Sequence, residues 1–311
     1  MSAIVRACTS STSFKNSGTA SNLFPQATAM IFVVSPKLKF TLADLNNPDI
    51  ISVFTEWIHA DGDDRIYPLF GNQIPISGIA NTKGTDNTVT LDNGTVMFVS
   101  YSQYVKLFST TDGGLCFAKV LKSFNNAPMA VIEVDIAGNI VCKANSDGTY
   151  SGLKCTLFAP AIDMADLKNP AKSYFQLGYM PDYFVDNAVM LQDGKPLLDL
   201  IGLFDLTIKD AGKSSITQLS IYLSDDCCGD NVTADYQDAI TNAASVFKVT
   251  SPTGADVPVT DVAFDASDDS FLLDGTFTAG TTYTVSALPS DVMFAVNIEG
   301  IEIASGAVAV P

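Results

Sequence analysis

From Asn87 onward the chain takes on a period of two, and that period constrains its fold more than any other feature. Thr88, Thr90, Val96, Phe98 and Ser100 alternate with Val89, Leu91, Met97 and Val99, and the turn Asp92-Asn93-Gly94 separates the two arms. Successive side chains of a strand point to opposite faces, so this pattern predicts a β-hairpin. Other short runs predict strands over residues 30–34, 37–40, 65–70, 105–109, 129–136, 139–143, 152–158 and 172–177. Ala137-Gly138-Asn139 and Ser146-Asp147-Gly148 supply turns between them. Two stretches follow the helical period instead. Ile50, Val53, Phe54, Trp57 and Ile58 share one helix face, with Asn47 as the expected cap, Pro48 in the first turn and Asp49 complementing the dipole. Leu115, Ala118, Leu121 and Phe124 line a second helix, with Thr111-Asp112 as its expected cap. Residues 163–168 read as a short helical turn. The fold class that follows is mainly β, a β-rich α+β protein.

Charge divides the chain more sharply than length does. Of its 311 residues, 47% are hydrophobic and 16% charged, which marks a folded protein with a core. From Gly202 to Pro311 there are 16 Asp+Glu against three lysines (Lys209, Lys213, Lys248), a net of −13. The rest of the chain holds 18 acids and 14 bases, a net of −4. This balance disfavours nonspecific binding to nucleic acid or to an anionic membrane, which carry the same sign. The acidic part also shows seven short strands in about 110 residues, the count of an immunoglobulin-like sandwich. A short helix is expected inside it over 235–244. The expected organisation is an extended Ser/Thr-rich arm over 1–28, a β-rich assembly domain over 29–200 and an Ig-like β-sandwich over 201–311. Met1–Ala20 lacks the apolar core of a signal peptide, and the longest apolar run, Ala29–Val34, is too short to span a bilayer. Synthesis in a cytoplasm and no membrane partner are therefore expected.

Reactive chemistry is sparse. His59 is the only histidine and falls in the last turn of the first helix, where a capping role is expected. There is no nucleophile elbow, no P-loop and no dinucleotide fingerprint, and Gly113-Gly114 reads as a turn rather than a phosphate cradle. Asp61, Asp63 and Asp64 form one acidic cluster, Asp225, Asp226 and Asp230 a second, and Asp265, Asp268, Asp269 and Asp274 a third. Calcium favours such loops, but none has EF-hand spacing, and turns select Asp for backbone capping. The six cysteines show no zinc spacing and read as free thiols, with Cys227-Cys228 a reduced turn pair. Asn231-Val232-Thr233 matches a glycosylation sequon without the secretory context that would give it meaning. No catalytic, cofactor-binding or metal residue is expected.

Two stretches resemble known families. In the first, the helix ending Trp57-Ile58-His59-Ala60 precedes Arg65-Ile66-Tyr67-Pro68-Leu69-Phe70. Thr111-Asp112-Gly113-Gly114-Leu115 with its helix follows, and then Val131-Ile132-Glu133-Val134-Asp135-Ile136-Ala137-Gly138-Asn139-Ile140. This order, over roughly 30–190, resembles tail-tube or neck-ring virion proteins of tailed bacteriophages that infect Bacteroidetes, crAss-like phages among them. The second is Phe247–Gly254, then Val257–Phe264, then Phe277-Thr278-Ala279-Gly280-Thr281-Thr282-Tyr283-Thr284-Val285, which resembles bacterial Ig-like repeats of the invasin and surface-layer kind. Together they imply a tail-tube-like β-barrel or sandwich with two helices, followed by an outward-facing Ig-like domain. The function implied is a non-enzymatic structural subunit of the virion, made in the bacterial host cytoplasm. It would form a homo-oligomeric ring or tube of the tail or neck beside portal, neck or tail subunits. DNA would pass through a weakly acidic lumen without being specifically bound. The alternative is a cell-surface adhesion or carbohydrate-binding protein with an Ig-like domain, against which the missing leader and the unpaired cysteines weigh. An enzyme would have to work without a triad, metal set or cofactor loop.

Overall fold

The computed structural model describes residues 25–45, 47–82, 86–101, 104–179, 188–191, 194–241 and 246–311. The protein is mainly β and divides into two compact units, Met1–Gly202 and Leu203–Pro311. Of the arm expected over 1–28, residues 1–24 lie outside the described residues, and Thr28 already belongs to a strand.

The first unit contains strands β1 (Thr28–Val34), β2 (Ile66–Phe70), β3 (Gly78–Thr82), β4 (Asp86–Thr90), β5 (Val96–Tyr101), β6 (Tyr104–Thr110), β7 (Ala130–Asp135), β8 (Ile140–Ala144), β9 (Tyr150–Ser151), β10 (Leu153–Phe158), β11 (Ser173–Tyr179) and β12 (Ala188–Leu191). Its helices are α1 (Leu42–Leu45), α2 (Ile50–His59) and α3 (Gly114–Ser123). The large sheet runs β12-β8-β7-β10-β11-β6-β3, with β1 and β2 branching from β7. Along one edge β7 pairs with β1; its other edge is shared by β8 at Glu133–Val134 and β10 at Ala130–Val131. Every residue of β7 is buried, as a central strand covered on both faces requires.

Packing rolls this sheet around a core. Ile31 and Val33 of β1 point inward with Val131, Leu153, Phe108 and Phe175, while Phe32 on the opposite face meets Phe54 of α2 at 5.0 Å between ring centroids. Phe70 ends β2 with a left-handed φ of 68°. That conformation is uncommon for a bulky residue. It brings the ring to within 6.1 Å of Phe108 and 6.4 Å of Phe175, far along the sheet path. Helix α3 covers this interior, with Phe117 edge-on to Phe70 and Phe124 edge-on to Tyr67.

Several local expectations shift. The cap of α2 is Asp49, whose carboxylate accepts from the Ser52 N–H at 3.1 Å; Asn47 instead accepts from the Asp49 N–H at 3.0 Å. The helix therefore starts two residues later than Asn47 capping implies. Ahead of α3 neither Thr111 nor Asp112 caps: Gly113 holds the N-cap position with φ 80°, and the buried stripe is Phe117, Ala118, Leu121 and Phe124, leaving Leu115 in solvent. The expected strand over 37–40 reduces to a single bridge between Phe40 and Tyr150, and residues 163–168 form no helical turn.

The second unit holds β13 (Phe204–Asp210), β14 (Gln218–Asp225), β15 (Phe247–Thr250), β16 (Asp256–Val257), β17 (Asp261–Asp265), β18 (Ser270–Asp274), β19 (Thr282–Ala287), β20 (Ile301–Ala304) and β21 (Gly306–Ala309). Two helices, α4 (Gln237–Thr241) and α5 (Ser290–Ala295), lie in its connections. The sheets are β17-β18-β14-β13-β20 and β16-β15-β19-β21. Leu219, Ile221, Leu223 and Phe271 from one meet Val249, Tyr283 and Val285 from the other in a single core. This strand order is that of an immunoglobulin-type sandwich. The final strand serves both sheets: β20 runs parallel to β13, and β21 then pairs with β19. The Tyr283 hydroxyl accepts from the Thr278 N–H at 2.9 Å, the tyrosine corner of such sandwiches. The segment 257–264 is split, because Pro258 has no N–H for a ladder.

Candidate assembly surface

Strands β4 and β5 form a two-stranded sheet of their own. Its register continues that of β3 and β6: Thr82 faces Val105 and, four residues on along one strand and four back along the other, Asp86 faces Tyr101. The described pairs on either side of residues 83–85 and 102–103 therefore share one hairpin register, one pair in the rolled sheet and the other in a sheet of its own. At the tip, the Gly94 N–H donates to the Leu91 carbonyl at 2.8 Å, and Gly94 adopts the φ of 79° that the sequence Asn-Gly supplies. Val89 lies directly across from Met97, and alternation puts Leu91 and Val99 on the same face. These four residues are 51%, 51%, 41% and 59% exposed respectively. Asp86 and Asp92 are the only charged residues from Asp86 to Tyr101. A ribbon of two strands is marginal in water by itself, and this one leaves an uncharged apolar face in solvent.

A second exposed apolar feature lies in the connection between β10 and β11. Asp163 and Lys172 bridge its neck through two backbone hydrogen bonds of 3.0 Å. Within it, the Asp166 carboxylate accepts from the N–H groups of Lys168 and Asn169, each at 2.7 Å. The Lys168 N–H above all, with Asn169, holds that carboxyl below the usual range. The Tyr174 hydroxyl donates to Asp163. Met164 and Leu167 stand outward from this framework, Met164 at 75% exposure and Leu167 fully exposed. A shallow cleft of about 350 Å³ is lined by Ile162, Asp163, Met164 and Pro170 among others. Sequence reading missed both residues, because two apolar positions in a polar stretch carry no periodic signal.

Most of the residues weighed on sequence grounds find local partners. His59 is buried, and its Nδ1 lies 2.8 Å from the Thr55 carbonyl of its own helix. Asp61 pairs with Arg65 at 3.5 Å, whereas Asp63 accepts from Lys37 and from Ser35, each at 2.8 Å. The Lys37 ammonium, and then the Ser35 hydroxyl, lower the Asp63 pKa. Asp225 accepts from the Cys227 N–H at 2.7 Å, and Asp226 from the Thr207 hydroxyl. Asp265 accepts from the hydroxyl and N–H of Ser267, Asp268 pairs with Lys213, and Asp274 accepts from Gln218 at 2.7 Å. Among the described residues, no three carboxylates bring their oxygens together as a cation site requires. Of the cysteines, Cys142 and Cys155 are buried thiols whose pKa values burial raises, and Cys228 is free and exposed. The reading as free thiols fails at Cys116 and at Cys227, neither of which is a free thiol.

No helix is long and apolar enough to cross a membrane, among the described residues. No protein-family model matches the chain, and no curated protein matches it.

Proposed function

We propose that this chain is a non-enzymatic structural subunit of a tailed-phage virion, whose copies join into a ring or tube of the tail or neck through which DNA passes. The observation that carries the reading is the projecting hairpin, whose face of Val89, Leu91, Met97 and Val99 is apolar, uncharged and open to solvent. A monomer gains nothing from such an arm, whereas a subunit that meets its neighbours through one buries it on assembly. Charge supports the same division of labour. The unit that carries the hairpin has a net charge of only −4, so apolar contact between copies meets little repulsion, while the −13 of the Ig-type part keeps finished particles from clumping. The resemblance to tail-tube and neck-ring proteins in 30–190, with an Ig-like domain after it, points the same way. Electron microscopy of the purified full chain over a rising concentration series is expected to show rings or tubes of defined symmetry. A strictly monomeric chain at the highest attainable concentration would sink the proposal.

A further inference from the structure

We infer that the hairpin face of one copy docks on the Met164–Leu167 tip of the next, a head-to-tail contact that rests on the ring or tube reading above. The two surfaces belong to one unit but leave it in opposite directions. Strands β6 and β11 are antiparallel, with Tyr104 facing Tyr179 at one end and Thr110 facing Ser173 at the other. The hairpin extends from the Tyr104 end, and the 159–172 connection enters β11 at the Ser173 end. Seven residues of strand set these ends about 20 Å apart. Two different apolar surfaces at opposite ends of one rigid sheet form a heterologous pair. Such a contact repeats from copy to copy and closes into a ring, or extends into a tube, according to the rotation between subunits.

Chemistry matches the two surfaces. The hairpin face offers four apolar side chains and no charge of its own. The tip offers Met164 and Leu167, while the carboxylates beside them are engaged inside the connection, Asp163 by Tyr174 and Asp166 by the N–H groups of Lys168 and Asn169. Both carboxylates therefore keep hydrogen-bond donors from their own copy when the tip is covered, which lowers the cost of desolvating them. The tip is also held in shape before binding by the bridge at its neck, so little order has to be imposed on contact. A two-fold pairing of hairpin with hairpin would bury the same ribbon face, but it closes after two copies and leaves Met164 and Leu167 in water.

The test uses the full chain with Met97 replaced by the photo-crosslinking residue benzoylphenylalanine, mixed with isotopically labelled wild-type chain and irradiated under assembling conditions. Peptide mapping is expected to place intermolecular crosslinks within residues 162–170. In parallel, Leu167→Asp and Val99→Asp, both exposed changes, are each expected to raise the concentration for half-assembly roughly tenfold or more. Their combination is expected to add little beyond the larger single effect, because one contact is lost either way. Oligomers that form but crosslink hairpin to hairpin, or that tolerate Leu167→Asp, overturn this contact and leave the ring reading standing. A chain that never assembles overturns both.

Discussion

Glu133 sits on the inner face of β7 at 2% exposure and is the most demanding residue of the first unit. Its Oε2 accepts from the Thr28 hydroxyl at 2.5 Å and from the Lys106 ammonium at 2.6 Å, while Oε1 has no hydrogen-bond partner among the described residues. Lys106 belongs to β6, which β10 and β11 separate from β7 along the sheet. The ion pair therefore crosses the interior of the roll and ties together strands that share no ladder. Taking two charges out of water costs several kcal/mol, and the pair offsets that cost only while both partners are present. Lys106→Met is accordingly expected to destabilise the protein by about 3–5 kcal/mol, because it leaves a buried carboxylate uncompensated. The double variant Lys106→Met/Glu133→Leu is expected to lose much less, since it removes the charge as well. Urea denaturation of the three proteins measures the difference. A double variant as unstable as Lys106→Met alone would show that packing, and not the ion pair, sets the loss.

At the scale of elements, the passage from β9 to β10 turns on Gly152. A Cβ there would stand 2.6 Å from Val34 Cγ2 and 2.9 Å from the Ala130 Cβ, so the strand crosses its neighbours only where no side chain exists. Gly152→Val is expected to lower stability by about 1–3 kcal/mol or more through overpacking, read as a drop in the thermal midpoint. An unchanged midpoint would mean that β1 and β7 part at little cost. Nothing in the sequence around Gly152 signals this, since a glycine before an alternating run reads as a simple strand boundary. The hairpin was legible in the sequence because its alternation and its Asn-Gly turn are local properties, and its same-face residues follow from period two alone. Helix α3 was legible as a helix, and Ala118, Leu121 and Phe124 of its expected stripe are buried, but the left-handed Gly113 starts it so that Phe117 packs against Phe70 and Leu115 does not pack. Strand β3, with the sequence Gly-Ile-Ala-Asn-Thr, has neither alternation nor bulk, and its place is fixed by pairing with β6. The inward direction of Glu133 was also hidden. In the run Val-Ile-Glu-Val-Asp an acidic residue reads as solvent-facing until both faces of the strand are known to be covered.

At the scale of the whole molecule, the acidic part has a core that it builds by itself. Leu206, Ile221, Phe271, Val249, Tyr283 and Val308 draw on both of its sheets, and its last strand closes the sandwich. Residues 203–311 are therefore expected to fold alone and to melt cooperatively. Sixteen acids against three lysines work against that stability through mutual repulsion. Raising the ionic strength from ~0.01 M to ~0.1 M shortens the Debye length from about 30 Å to about 10 Å. The melting midpoint at neutral pH, followed by circular dichroism, is thus expected to rise over that range. Acid acts through two opposed effects. The Ser267 hydroxyl, and then its N–H, hold the Asp265 carboxyl below its usual range. A lowered folded-state pKa gives stability that is present above the unfolded value and lost as pH falls through the folded one. Protonation relieves repulsion over the same acidic range, so only neutral pH isolates the charge effect. A midpoint that stays level or falls with salt would mean that local pairs such as Lys213–Asp268 and Lys248–Asp256, which salt weakens, outweigh the repulsion summed over the unit.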